Sequence, residues 1–337
     1  MLAEAAIDVH WHHVPQQFVS AVLAGRCRFD GSVSRSGDSI AFDLPSGFHQ
    51  PLTPDLTDPG LIATALDRAG TDVAAASLGP PLSHDTADPE IALEVSRFVN
   101  DGFAELAETL EGRLCPLANL PMGDVPSSVA EIRRVTDELG FRGVAIGSNA
   151  AGRNLGDEAL LPFWEEVRER DLFVFVHGDF PLDSDRLSEH ELQNFVGIPI
   201  DTAVTVASMV FGGVFERFPG LKVCFSHGGG AFPCLVGRWD HGFEARLRQR
   251  EYKIRVPSEY LQYIYCDSLT HDGATLRYLV ERLGADHVLL GSDHPFDMGE
   301  PDPRGKIEAA IGDETAQAQI MGRTAAALLD IDLDRRR

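Results

Sequence analysis

Short apolar runs rich in β-branched and aromatic residues recur along the chain, separated by longer stretches with helical periodicity. Eight such runs stand out, at 6–10, 73–78, 114–120, 143–146, 172–177, 222–226, 263–266 and 288–291. Helical spacing predicts helices over 59–69, 90–110, 125–139, 158–170, 203–218 and 273–283. Strand and helix in alternation is the pattern of repeated βα units around a parallel sheet, and eight strands suit a closed (β/α)₈ TIM barrel. An open doubly wound sheet is the competing α/β arrangement. It usually has fewer strands and a Gly-rich phosphate-binding turn after the first, and no such turn follows Val9.

One stretch breaks the rhythm. Residues 26–57 are punctuated by Gly, Ser, Asp and Pro around short alternating segments such as 39–44. They read as a small insertion after strand 1 in a single domain spanning 1–337. In a barrel such an insertion overhangs the C-terminal face, where active sites form, so a lid-like role is expected.

Composition narrows the function. The 337 residues are 44% hydrophobic, ample for a sizeable core, and carry 52 acidic against 29 basic side chains, a formal charge of -23. Such a surface repels nucleic acid and anionic membranes, so neither is expected as a partner. MLAEAAIDVH has no basic segment before an apolar one, and no unbroken run of about 18 apolar residues occurs; a cytoplasmic protein is expected. The five cysteines are scattered, with no C-x-x-C pair, which argues against a disulfide framework or a thiolate metal site.

The chemistry sits where the apolar runs stop. His10 and His12 are two apart at the end of the first run, and side chains at i and i+2 share one face of a strand. The runs at 173–176, 223–226 and 289–292 end in His177, His227 and Asp293. Five groups able to bind a metal or move a proton, at the C-terminal ends of four strands, are the arrangement of a barrel metalloenzyme. Imidazole and carboxylate without thiolate suit Zn²⁺ first, with Mn²⁺, Fe²⁺ and Co²⁺ also admitted. The run at 143–146 offers no Lys to bridge two ions, so one divalent metal ion is expected.

Three segments, Val196-Gly197-Ile198-Pro199, Ser226-His227-Gly228-Gly229-Gly230-Ala231-Phe232-Pro233 and Gly291-Ser292-Asp293-His294-Pro295-Phe296, resemble the 2-amino-3-carboxymuconate-6-semialdehyde decarboxylase family, in the decarboxylase branch of the amidohydrolase superfamily. The resemblance runs through the whole chain and is densest between Phe195 and Phe243. It implies a zinc-dependent, oxygen-independent decarboxylase with a distorted barrel, forming a homodimer. It also implies His10, His12, His177 and Asp293 as metal ligands, and His227 as the catalytic histidine that positions or deprotonates a metal-bound water. Arg238 matches an arginine that reaches a neighbouring subunit's site to hold a substrate carboxylate, a task suited to its guanidinium fork. Without the resemblance, an ion pair of Arg238 with Asp240 reads as well.

The chain also departs from the family. The family has an arginine on the loop before its first helix, whereas no Arg or Lys occurs between Arg35 and Arg68 here, where His49 and Gln50 lie. A family tryptophan is replaced in the stretch held by Asn194 and Phe195. His49 and Asn194 therefore join Arg238 as substrate-binding candidates.

The leading expectation is non-oxidative decarboxylation of a small unsaturated or aromatic carboxylic acid. A hydrolase, hydratase or cyclase acting on an amide, lactone or related group, with Asp293 or His227 as base, is the alternative. A silent barrel with a structural zinc is a third reading, which His227 beside four ligands disfavours.

Overall fold

The computed structural model of the chain describes residues 5–79, 82–83, 85–178, 185–247 and 253–332. Eight parallel strands follow one another around a sheet in chain order: Ile7–His12, Val73–Ser77, Leu114–Asn119, Gly143–Gly147, Phe173–His177, Lys222–Phe225, Ile264–Asp267 and Val288–Leu289. They are called the first to the eighth below. The eighth is short, and the residues after it close the barrel on the first. Val9 N–H donates to the Leu290 carbonyl (2.9 Å), Asp293 N–H to that of His10 (2.7 Å) and His12 N–H to that of His294 (2.7 Å). The fold is the α/β barrel that the alternation predicts.

Both strand faces are buried, which explains why the runs read as continuous apolar sequence. Ile7, Val9, Val73, Ala75, Leu117, Phe173, Phe175, Cys224 and Leu289 fill the interior, with Ala325, Leu328 and Leu329 packed against them. Ala74, Ala76, Val174, Val176, Val223 and Phe225 face the surrounding helices. Local chemistry sets the helix ends. Asp58 accepts from Gly60 N–H to start Pro59–Ala69, which stops at the left-handed Gly70, and Asp272 accepts from Thr275 N–H to start Gly273–Leu283.

The helix predicted over 203–218 is two. Ile198–Phe211 and Val214–Arg217 are separated at Gly213, whose φ of 73° leaves the right-handed helical region. The helical stretch Gln193–Phe211 is long and apolar enough by composition to cross a membrane. Its Ala203, Val206, Met209 and Val210 are buried in the core, as a barrel helix requires, while Phe195, Val196 and Ile200 are exposed.

Within 26–57, strands Ser32–Ser36, Ser39–Asp43 and His49–Pro51 form a small antiparallel sheet. Phe42, fully buried, anchors it against Phe18 of helix Gln16–Leu23 and against Phe29. The register sets Asp43 opposite His49.

Candidate active site

The first strand must solve a parity problem. Ile7 and Val9 point into the barrel, so strict alternation would turn His10 and His12 outward. The pairing with the second strand shifts register between Asp8 and Trp11, and this irregularity brings both histidines inward above the packed interior. His10 then lies 5.0 Å, ring to ring, from Phe175. The fifth strand needs no such device, since Phe173, Phe175 and His177 alternate inward and the histidine tops the stack.

Here the strand-end groups meet. Asp293 Oδ1 is 3.1 Å from both His10 Nε2 and His12 Nε2, and Asp293 Oδ2 is 3.8 Å from His227 Nε2. The ligand atoms of His10, His177, His227 and Asp293 all lie within 4.8 Å of one another. His12 flanks them, its ring 5.2 Å from that of His177. His10 Nε2, His12 Nε2 and Asp293 Oδ1 are buried without a hydrogen-bond partner, a costly state unless a cation sits among them. This lone-pair cluster fits a divalent metal ion.

Two residues to which the sequence reading gave no role hold the cluster. Asp267, buried at the end of the seventh strand, receives His10 Nδ1 at 2.6 Å and the backbone N–H groups of His227 (3.0 Å) and Gly228 (2.7 Å). It thereby pins the His227 backbone, whose φ of 55° is uncommon for a residue with a side chain. Gly291 leaves the necessary space, because a Cβ there would stand 2.7 Å from Asp267 Cβ and 2.9 Å from His10 Cβ. The signal for Asp267 was available: like its three counterparts, it is a polar residue closing an apolar run.

Charge is shared tightly. Burial pushes His12 and His177 down towards the neutral imidazole. Burial also opposes charge on His10, but Asp293 and Asp267 outweigh it and hold that ring up at about 10. Burial likewise favours the neutral Asp293 carboxyl, and His10 and His12 overcome it, keeping the group well below its usual range. Asp8 below them is raised to about 7, chiefly by burial.

Above the cluster opens a cavity of about 750 Å³. His177, His227 and Asp293 lie in a lining that is largely apolar, including Phe48, Phe195, Leu269 and Phe296. His49 and Asn194 line it too, His49 with Nδ1 2.5 Å from Asp43 Oδ1. No Lys or Arg lines it among the described residues. Arg238 lies outside, exposed on helix Phe232–Gly242, one turn beyond the cavity-lining Cys234. It does not pair with Asp240, whose Oδ1 accepts from Ser258 N–H at 2.9 Å.

Residues 7–331 match the amidohydrolase family. The chain is also 35% identical over 331 residues to the 2-amino-3-carboxymuconate-6-semialdehyde decarboxylase of Dictyostelium discoideum, covering 97% of this chain and 92% of that one. The chain belongs to the amidohydrolase family, in its decarboxylase branch. Solved structures agree on the fold. The 5-carboxyvanillate decarboxylase of Sphingomonas paucimobilis superposes with a TM-score of 0.83 at 23% identity, over 98% of this chain and 100% of that one. A dihydroxybenzoic acid decarboxylase from Polaromonas, solved with manganese and 2-nitroresorcinol, gives 0.80 at 23%, over 98% of each.

Proposed function

We propose that this amidohydrolase-family protein catalyses the metal-dependent, non-oxidative decarboxylation of a small unsaturated or aromatic carboxylic acid. The observation that carries the reading is the unpartnered His10, His12 and Asp293 donor set beneath a largely apolar cavity. Similarity over the whole chain to a decarboxylase supports it. His10, His12, His177 and Asp293 hold one divalent ion. Three imidazoles and a carboxylate suit Zn²⁺ best, and Mn²⁺, the ion of the Polaromonas enzyme, is the nearest rival. When bound, the ion supplies Lewis-acid polarisation of an oxygen beside the reacting carbon.

The chain's residues do the rest. Phe48, Phe195 and Phe296 exclude water and offer flat surfaces to an unsaturated acid, and Asn194 and His49 supply polar contacts. A proton is added to the carbon bearing the carboxylate. The bond to that carboxylate then breaks, its electron pair returns to the unsaturated system, and CO₂ leaves. His227, with a water molecule, handles the proton. Arg238 arrives from a second copy of the chain to hold the carboxylate, and the exposed Phe195, Val196 and Ile200 form part of the dimer contact.

One observation favours a second reading, hydrolysis, hydration or cyclisation of an amide or lactone: the chain's own cavity has no Lys or Arg among its described lining residues to grip a carboxylate. Incubating metal-loaded protein with a panel of aromatic and unsaturated acids separates the two. The proposal expects chelator-sensitive CO₂ release from at least one acid; no release from any, with turnover of a lactone or amide, would overturn it.

A further inference from the structure

The cluster holds four histidines but the proposed coordination uses three, and something must keep the fourth apart. The outward nitrogens decide this, since a ring that donates from Nδ1 offers a lone pair at Nε2, whereas a ring that accepts at Nδ1 carries its proton on Nε2. His10 Nδ1 faces the Asp267 carboxylate at 2.6 Å and His177 Nδ1 faces the Gly178 carbonyl at 2.6 Å. Both partners only accept, so when neutral both rings carry their proton on Nδ1 and offer Nε2 as a lone pair. His12 Nδ1 lies 3.2 Å from Ser77 Oγ, and that hydroxyl has the Trp11 carbonyl at 3.5 Å to take its own proton. It is free to accept from His12, which again leaves Nε2 available.

His227 is wired in the opposite sense. Its Nδ1 lies 2.9 Å from Ser226 Oγ, and that oxygen already accepts the Gly178 N–H at 3.0 Å. Ser226 is fully buried, and His227 Nδ1 is the one acceptor within hydrogen-bond distance of its hydroxyl among the described residues. Were Nδ1 protonated, the hydroxyl hydrogen would be stranded in the core. Asp293 Oδ2, 3.8 Å from His227 Nε2, suits a proton on that nitrogen.

We infer that Ser226 is a positioning residue that fixes neutral His227 as its Nε2–H tautomer, which keeps it out of the metal's coordination and makes it a hydrogen-bond donor to the substrate or its water. The inference rests on the proposed metal site and sharpens the role of His227: as the Nε2–H tautomer the ring cannot take a proton at Nε2.

The ¹⁵N ring shifts of the metal-free protein at mildly alkaline pH test this without any substrate, with the His227 signals assigned by their loss in His227→Gln. A pyridine-type Nδ1 and pyrrole-type Nε2 are expected; the reverse pattern, or two pyrrole-type nitrogens, would overturn the inference. Ser226→Ala should lose that signature, alter the visible spectrum of the cobalt-loaded protein as His227 joins the ion, and lower kcat about 10- to 100-fold with little change in KM. Ser226→Thr should restore all three. If Ser226→Ala does not fold, the wild-type shifts still decide. A correct tautomer with no CO₂ released from any acid would defeat the decarboxylase reading and leave this one standing.

Discussion

Asp267 carries four demands on one carboxylate: the His10 ring and the backbone N–H groups of His227, Gly228 and Leu269. Asparagine has one acceptor oxygen, and its amide group would turn an N–H towards another donor. Asp267→Asn should therefore weaken metal binding about 10- to 100-fold, the usual effect of removing a partner behind a ligand, as measured by competition with a chromogenic chelator. Affinity within twofold of the wild type would show that His10 needs no such support. Gly291→Ala attacks the same pair sterically and should cost about 1–3 kcal/mol of stability in chemical denaturation, because its Cβ meets both His10 and Asp267. An unchanged midpoint would mean that the strand ends move apart freely.

At the scale of elements, what the sequence made legible follows from how local the information is. The apolar run with a polar residue at its end is local, so the strands, His177, His227 and Asp293 could be read directly. The first strand could be read only in part. That His10 and His12 share a face is a matter of spacing, but which face depends on the register shift after Asp8, a property of pairing with the second strand. Asp267 escaped because the apolar run at 263–266 was closed one residue before it. Helix Phe232–Gly242 escaped because three glycines precede it and only Phe232, Pro233 and Val236 are buried.

Helix packing around the barrel leans on a carboxylate in similar fashion. Glu166, on helix Leu161–Glu169, takes Arg133 Nη2 at 2.6 Å from helix Val125–Asp137, and Arg170 Nε at 2.5 Å. The Arg133 hydrogen bonds, with Arg170 beside them, hold its carboxyl below the ordinary 4.5. A depressed carboxyl stabilises the fold fully above the unfolded value, and that contribution fades as pH falls through the folded value. Glu166→Gln should therefore lower Tm by about 3 °C near pH 7, for a loss of about 2 kcal/mol, with the difference shrinking below about pH 4.5. A gap that persists at pH 3 would point to packing, not charge.

For the whole molecule, what must be explained is how a cavity with no Lys or Arg among its described lining residues, in a chain of charge -23, holds an acid. Arg238 and Cys234 are four apart on one helix and both are exposed, so the arginine stands just past the cavity rim on the same face. The apolar Phe195, Val196 and Ile200 are exposed close by in sequence to the cavity-lining Asn194 and Ile198. A two-fold dimer across such a surface would send each arginine to the other subunit's cavity. Arg238→Ala alone should then cost about 1.5–3 kcal/mol of transition-state binding, a 10- to 150-fold fall in kcat/KM. Mixing it with His227→Ala distinguishes the two geometries. Each parent is crippled, but a hybrid dimer has one cavity with both an intact His227 and an arginine from its partner. Random reassortment makes about half the dimers hybrid with one good site in two, so activity should return to about a quarter of the wild type. If Arg238 served its own cavity, no site in any hybrid would be complete, and the mixture would be no more active than its parents.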